Sequence, residues 1–201
     1  KIEAAGDDAS KLPAYDQKSE ALIPVLNHEI PLKAHAHQAN DILTAIRIAK
    51  EFHVKLTLEH TTEGNLIVDE LVKAGFPCAV GPSLGHATKF ELQNKAWTTP
   101  GVLAKAGCQV SIITDAPVTP QKYLSLCAAM AVRAGMEPYE ALKAITINPA
   151  KHLGIEDRVG SLEVGKDADI LIFSGDPLDG ISLPDQVLID GKLIENTSGQ
   201  L

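Results

Sequence analysis

The 201-residue sequence predicts an α/β chain built on a parallel sheet and followed by a small antiparallel β segment. Three observations carry this reading. Strand-like and helix-periodic runs alternate four times between residues 31 and 154, which calls for parallel strands joined by crossovers. The run CQVSIITDAP is apolar almost throughout, as in a strand buried on both faces. After Gly154 the pattern changes to period-two alternation in VGSLEVGKDADILIF and QVLIDGKLIEN, with Asp190-Gly191 as a hairpin-turn signal.

Taken in order, PLKAHAH reads as the first strand. ANDILTAIRIAKEFH is a helix, with Ile42, Ala45, Ile46, Ala49 and Phe52 at helical spacing and Asn40 or Asp41 as its cap. VKLTLEHTT is β-branched and strand-like. NLIVDELVKAGF follows as a helix with Leu66, Ile67, Leu71 and Val72 on one side and Gly75 as its stop. PCAVGPS is the third strand. TTPGVLAKAG offers Thr99 as cap and Pro100 at the first helical position, a device repeated by Thr119 and Pro120 after the fourth strand, CQVSIITDAP. EPYEALKAITINPAKHLG adds one more helix, ended near Asn148-Pro149.

Composition narrows the function classes. A net charge of −8 argues against nucleic acid and anionic membrane surfaces, which call for basic patches. No apolar run approaches the roughly 20 residues that span a bilayer. Cys78, Cys108 and Cys127 are odd in number, far apart and set in apolar segments, which reads as free thiols in a reducing cytoplasm. The opening on Lys1 in a polar stretch suggests a cut within a longer protein.

Chemistry in parallel α/β folds collects at the carboxyl ends of the strands. Here those ends read His35-Ala36-His37-Gln38, Glu59-His60-Thr61-Thr62, Gly81-Pro82-Ser83 and Thr114-Asp115-Ala116-Pro117. Two histidine-bearing ends and one aspartate on one edge make a divalent-metal set of the imidazole and carboxylate type. Each has a plainer reading: His60 as a hydrogen-bonded rim residue, Asp115 as the start of an Asx-turn. It is their joint phase with the strand ends that favours the metal. His28 and His53 read as solvent-facing, and His152 as a cation suited to a helix C-terminus. His86 and Glu91, in the loop after the third strand, are candidate substrate contacts or plain loop residues.

HAHQANDI, TLEHTTEG, AVGPS, IITDAP, ALKAITINPAKHLGI and VGSLEVGKDADILIF together resemble the carboxyl-terminal half of a metal-dependent amidohydrolase of the imidazolonepropionase-related subgroup. The resemblance runs from about Pro31 to near the end. Its most specific part is T-x-N-P-A followed by G-S-L-x-x-G-K-D-A-D. It implies the C-terminal half of a (β/α)8 TIM-type barrel, strands five to eight, with part of a small β-sandwich domain. Residues 1–30 are then a polar lead-in with the end of a preceding helix, 31–154 the half barrel, and 155–201 the sandwich segment.

By the same resemblance, His35 is the fifth-strand metal ligand and His60 the sixth-strand ligand, which otherwise polarises the substrate oxygen. Asp115 is the eighth-strand aspartate that touches the metal and shuttles protons. Gln38 contacts substrate, and His37 is a neighbour that either supports the ligands or faces substrate; His86 stays a candidate substrate contact by its loop position alone. The implied cofactor is a divalent ion, Zn²⁺ before Fe or Mn, and the implied reaction is hydrolysis of a C–N bond in an amide, cyclic amide or amidine-like small molecule. The sequence departs from the family in one respect: the first-strand H-x-H pair and the fourth-strand lysine or glutamate have no counterpart. The thirty residues before Pro31 are too few for four strand–helix units. The chain is therefore expected to meet either the missing N-terminal half or a second copy. The rival expectation is an inactive half-barrel acting as an association module, since half a barrel leaves edges and an interior open. A phosphate-binding barrel is disfavoured because GPSLG is too short for a phosphate loop and lacks the lysine.

Overall fold

The computed structural model describes residues 2–180 and 182–194. The lead-in forms three one-turn helices, α1 (Ile2–Ala5), α2 (Gln17–Glu20) and α3 (Ile23–Leu26), and Val25 of α3 enters the main core. The alternation then unfolds as β1 (Leu32–Ala36), α4 (Ala39–Glu51), β2 (Leu56–His60), α5 (Val68–Ala74), β3 (Cys78–Val80), α6 (Thr99–Lys105) and β4 (Val110–Ile112). The four strands pair in the order β1-β2-β3-β4, all parallel, so their carboxyl ends share one edge.

Alternation along the strands gives the sheet two different faces. Ala36, Leu56, Leu58, Cys78, Val80 and Val110 are buried with Ile42, Ile46 and Ala49 of α4, Leu71 of α5 and Leu103 of α6. The other face carries Lys33, His35, Thr57, Glu59 and Ser111. Leu58 is fully buried. Leu58→Ala is expected to lower the unfolding free energy by about 2–5 kcal/mol, measured by urea titration, through lost transfer energy and the cavity left behind.

Helix starts depart from the local expectation. α4 begins after Gln38, with Asn40 and Asp41 already inside it and no side-chain cap from its own N-cap residue. Its first N–H, on Ala39, is instead accepted by Glu63 Oε2 at 2.8 Å, a residue from the next strand–helix connection. In the second helical run a 3-10 turn at Gly64–Leu66 precedes α5; Ile67 and Leu71 are buried, while Leu66 and Val72 are exposed. Gly75 ends it at φ 70°. α6 begins after Thr98, which makes no side-chain cap, and Thr99 is a buried residue whose hydroxyl lies 3.4 Å from Asn65 Oδ1. Thr119 is likewise buried beside Leu84 O, ahead of a 3-10 turn at Gln121–Tyr123 and α7 (Leu124–Arg133).

The expected single helix over 137–154 is two: α8 (Pro138–Ala144) and α9 (Ile147–Leu153). Asn148 and Pro149 sit in the first turn of α9, where a missing proline N–H costs nothing because that donor has no intrahelical partner. Asn148 Nδ2 donates to Val110 O at 2.8 Å and ties α9 to β4. A second core of small residues, Cys127, Ala128, Ala131, Ala141 and Ala144, packs α7 and α8 against Ile112.

The tail forms an antiparallel sheet of β5 (Ile170–Ile172), β6 (Gln186–Ile189) and β7 (Lys192–Leu193). Asp190 and Gly191 both have positive φ, 49° and 72°, as a two-residue type I′ hairpin requires. The end of the predicted QVLIDGKLIEN strand pair, and of the 155–201 segment, lies outside the described residues. No helix among the described residues is long and apolar enough to cross a membrane.

Candidate metal and substrate site

The carboxyl edge of the sheet brings three imidazoles together. His35 and His37 leave the end of β1 on the same side, by period two. Strict alternation would send His60 to the apolar face with Leu58. The backbone breaks that alternation, with left-handed φ at His60 (74°) and Thr61 (42°). The His60 ring consequently stacks on His37 at 4.4 Å between centroids and lies 4.2 Å from His35. One nitrogen from each of His35, His37 and His60 lies within 4.8 Å of the other two.

The hydrogen bonds behind these rings favour ligation. His60 Nδ1 lies 2.7 Å from Gly81 O. A carbonyl can only accept, so Nδ1 carries a proton and Nε2 is the nitrogen left to face a ligand, the arrangement found behind metal-bound histidines. His37 Nδ1 is 2.7 Å from Thr62 Oγ1, again leaving Nε2 toward the cluster. Burial, joined by the nearby His60, pushes His37 down to about 4, so the buried ring is neutral at pH 7. Tetrahedral ligation at ~2.0–2.1 Å would draw the nitrogens to about 3.3 Å apart, a short closing movement from their present spacing. The donor set fits a zinc-like ion.

Gly81 supports this geometry. Its φ is 139°, and a Cβ there would lie 2.1 Å from Ile113 O. Only glycine lets β3 and β4 approach this closely while its carbonyl holds His60.

The other predicted site residues are placed as follows. Gln38 is half-buried as the N-cap residue of α4, next to His37. Asp115 stands at the carboxyl end of β4, on the same edge, with φ 50°, exposed and lining an open depression of about 300 Å³ with Thr114, Gln121 and Pro149. It is not a member of the three-histidine group. His86 is exposed in the loop after β3, and its carbonyl accepts from Lys95 Nζ at 3.2 Å. Glu91 reaches the cluster, with Oε1 3.9 Å from His37 Nε2 and 3.4 Å from Lys89 Nζ. His28 and His53 are exposed, in keeping with the solvent-facing reading.

His152 lies in the last turn of α9, as its sequence position suggested, but it is also packed against the sheet. It is buried, and its Nε2 lies 2.9 Å from Glu59 Oε1 on the polar face of β2. Thr57 Oγ1 donates to the same oxygen at 2.8 Å, with Lys33 Nζ at 3.4 Å. Burial alone would raise the Glu59 carboxyl, but the bonds from His152 and Thr57 and the electrostatic pull of His152 and Lys33 outweigh it and hold it at about 2. Neither Glu59 nor His152 was marked by any spacing in the sequence, because their partnership spans 93 residues.

These two groups contribute to the acid response of the metal-free chain. His37 falls from 6.5 unfolded to about 4 folded, and Glu59 from 4.5 to about 2. Both are depressed, so the unfolded chain binds more protons and stability falls as pH falls. The His37 contribution, up to about 3 kcal/mol, is complete above 6.5 and lost between 6.5 and about 4. That of Glu59 is complete above 4.5 and lost on the way to about 2. Urea midpoints measured from pH 8 to pH 3 should decline in both windows, and His37→Phe should remove the upper decline.

The profile of the Amidohydrolase family matches residues 27–194. An imidazolonepropionase from Fusobacterium nucleatum subsp. nucleatum is 31% identical over 193 residues, covering 92% of this chain and 45% of its own length. One from Treponema denticola is 26% identical, covering 96% and 43%. Among solved structures, an amidohydrolase from Thermotoga maritima MSB8 superposes with a TM-score of 0.88 at 42% identity, over 96% of this chain and 51% of that one. A Xaa-Pro dipeptidase with bound methionine gives 0.65 at 25% identity, over 84% and 46%. The chain thus spans about half the length of these relatives or less. It belongs to the amidohydrolase family, with imidazolonepropionases among its relatives.

Proposed function

We propose that this chain is the carboxyl-terminal half of a metal-dependent hydrolase that cleaves a C–N bond in an amide, cyclic amide or amidine-like small molecule. The observation that carries the reading is the convergence of His35, His37 and His60 on the edge where parallel α/β folds place their chemistry. A divalent ion, zinc by ligand type, would be held by His35 and His60 with His37 alongside, and would supply acidification of the attacking water and polarisation of the substrate. Asp115 would take the proton from that water and pass it to the leaving nitrogen. His60, where not ligating, would polarise the substrate oxygen, and Gln38 would orient the substrate from the start of α4. His86 would contribute from the adjacent loop.

We read β1 to β4 as strands five to eight of a (β/α)8 barrel and β5 to β7 as part of a β-sandwich. The polar face bearing Lys33 and His35 supports this, since both are exposed in a sheet whose other face is a finished core. The partner that completes the barrel would be the amino-terminal half of the protein or, for this piece alone, a second copy. The three free cysteines fit a reducing cytoplasm; burial pushes Cys78 up to about 12, which leaves it inert.

The test has two arms. Zinc titrated calorimetrically into the 201-residue chain should bind at one ion per chain, and the chain joined to its amino-terminal half should hydrolyse a lactam or acyl-proline test substrate. Absence of zinc binding in both forms overturns the metal reading; zinc without turnover in the joined form favours the association module.

A further inference from the structure

We infer that Glu63 is the positioning residue of the site: it docks the loop after β3 over the histidine cluster and thereby holds Glu91 beside His37. Glu63 is buried to 6% exposure, yet no substrate-contacting role accounts for it. Its backbone N–H donates to His37 O at 2.9 Å, fixing the end of the strand that carries two of the imidazoles. One carboxyl oxygen accepts from the Ala39 N–H at 2.8 Å, at the start of the helix that follows that strand. The other accepts from Asn94 Nδ2 at 2.7 Å, across 31 residues of sequence.

Asn94 lies just past the 3-10 turn Phe90–Leu92, which presents Glu91 at 3.9 Å from His37 Nε2. The rest of the loop is braced on itself: Lys95 Nζ donates to Gly85 O at 3.0 Å and to His86 O at 3.2 Å. The loop's ties through Gly81 O to His60 and Leu84 O to Thr119 lie at its start, so the Glu63–Asn94 bond at its far side decides where Glu91 stands. A carboxylate offers two separate acceptor oxygens, and here each takes one of the two donors. The role rests on reading the cluster as the substrate site, but the docking itself does not.

The experiment uses the metal-free chain at pH 7 and two readouts: native-state trypsin cleavage after Lys89, and the ¹⁵N signals of the His37 ring. Asn94→Asp sets two carboxylates against each other and should undock the loop, with cleavage about tenfold faster and the His37 signals displaced, while the His152 signals stay. Adding Glu63→Gln to that variant should restore both readouts. The new amide keeps its oxygen on the Ala39 N–H and turns its nitrogen to the new carboxylate. Glu63→Gln alone should behave as the parent, because Asn94 can turn its amide over and accept. Cleavage and His37 signals unchanged in Asn94→Asp, or no recovery in the double variant, overturns the inference. If the swap rescues but the chain never binds zinc, the docking stands and the metal reading falls, so the two failures are separable.

Discussion

Gly81→Ala should be among the most damaging single substitutions in the chain, lowering the unfolding free energy by about 3 kcal/mol or more in a urea titration. The added methyl would lie 2.1 Å from Ile113 O, a backbone atom that cannot rotate away. Overpacking of this kind costs about 1–3 kcal/mol and an L-residue in left-handed backbone about 1–2 kcal/mol more. Gly85→Ala is the control. Gly85 also has positive φ, at 97°, but a Cβ there meets nothing within 4 Å, so it should show only the conformational part. The damage should not stop at stability. Moving the Gly81 carbonyl releases His60 Nδ1, and zinc affinity should fall even in the fraction that folds.

His60→Ala should weaken zinc binding by more than about a hundredfold, read by calorimetry or by competition with a chromogenic chelator. Losing a residue that merely orients a ligand already costs about 10–100-fold, and His60 is proposed as a ligand itself. Its ring contacts both other histidines, so its removal also takes away the packing that holds them in place. The folded chain should survive, because His60 lies past the last core position of β2 and Leu58 fills that core. Unchanged zinc affinity in this variant would remove the three-histidine centre from consideration.

Much of this architecture could be read from residue patterns, for reasons that differ by element. The four strands were legible because their apolar runs are long relative to the pleat and bounded by turn residues, and the parallel order followed from the helices between them. Gly75 was legible as a stop because a left-handed C-cap leaves a glycine at a fixed place. The Asp190-Gly191 hairpin was legible for the same reason. Caps were not: Asn40, Asp41, Thr99 and Thr119 are all good capping residues, but tertiary contacts took over the task at α4 and buried the two threonines elsewhere. The strand-end histidines were visible as a set. Period two puts His35 and His37 on one side, but how His60 reaches them was not legible, because it depends on the left-handed turn at His60, which nothing in LEHTT announces.

The bond between His152 and Glu59 has a bearing on how the chain is made. A ribosome emits β1 and β2 before α9, and His152 follows Glu59 by 93 residues, so the imidazole partner emerges well after the strand it binds. Until then Glu59 has only Thr57 and Lys33 for company on a face that is already taking shape. Contacts so distant along the chain form slowly, because loop closure must precede their reward. Nascent chains arrested before α9 should therefore hold the sheet loosely, and release of α9 should be the event that tightens it.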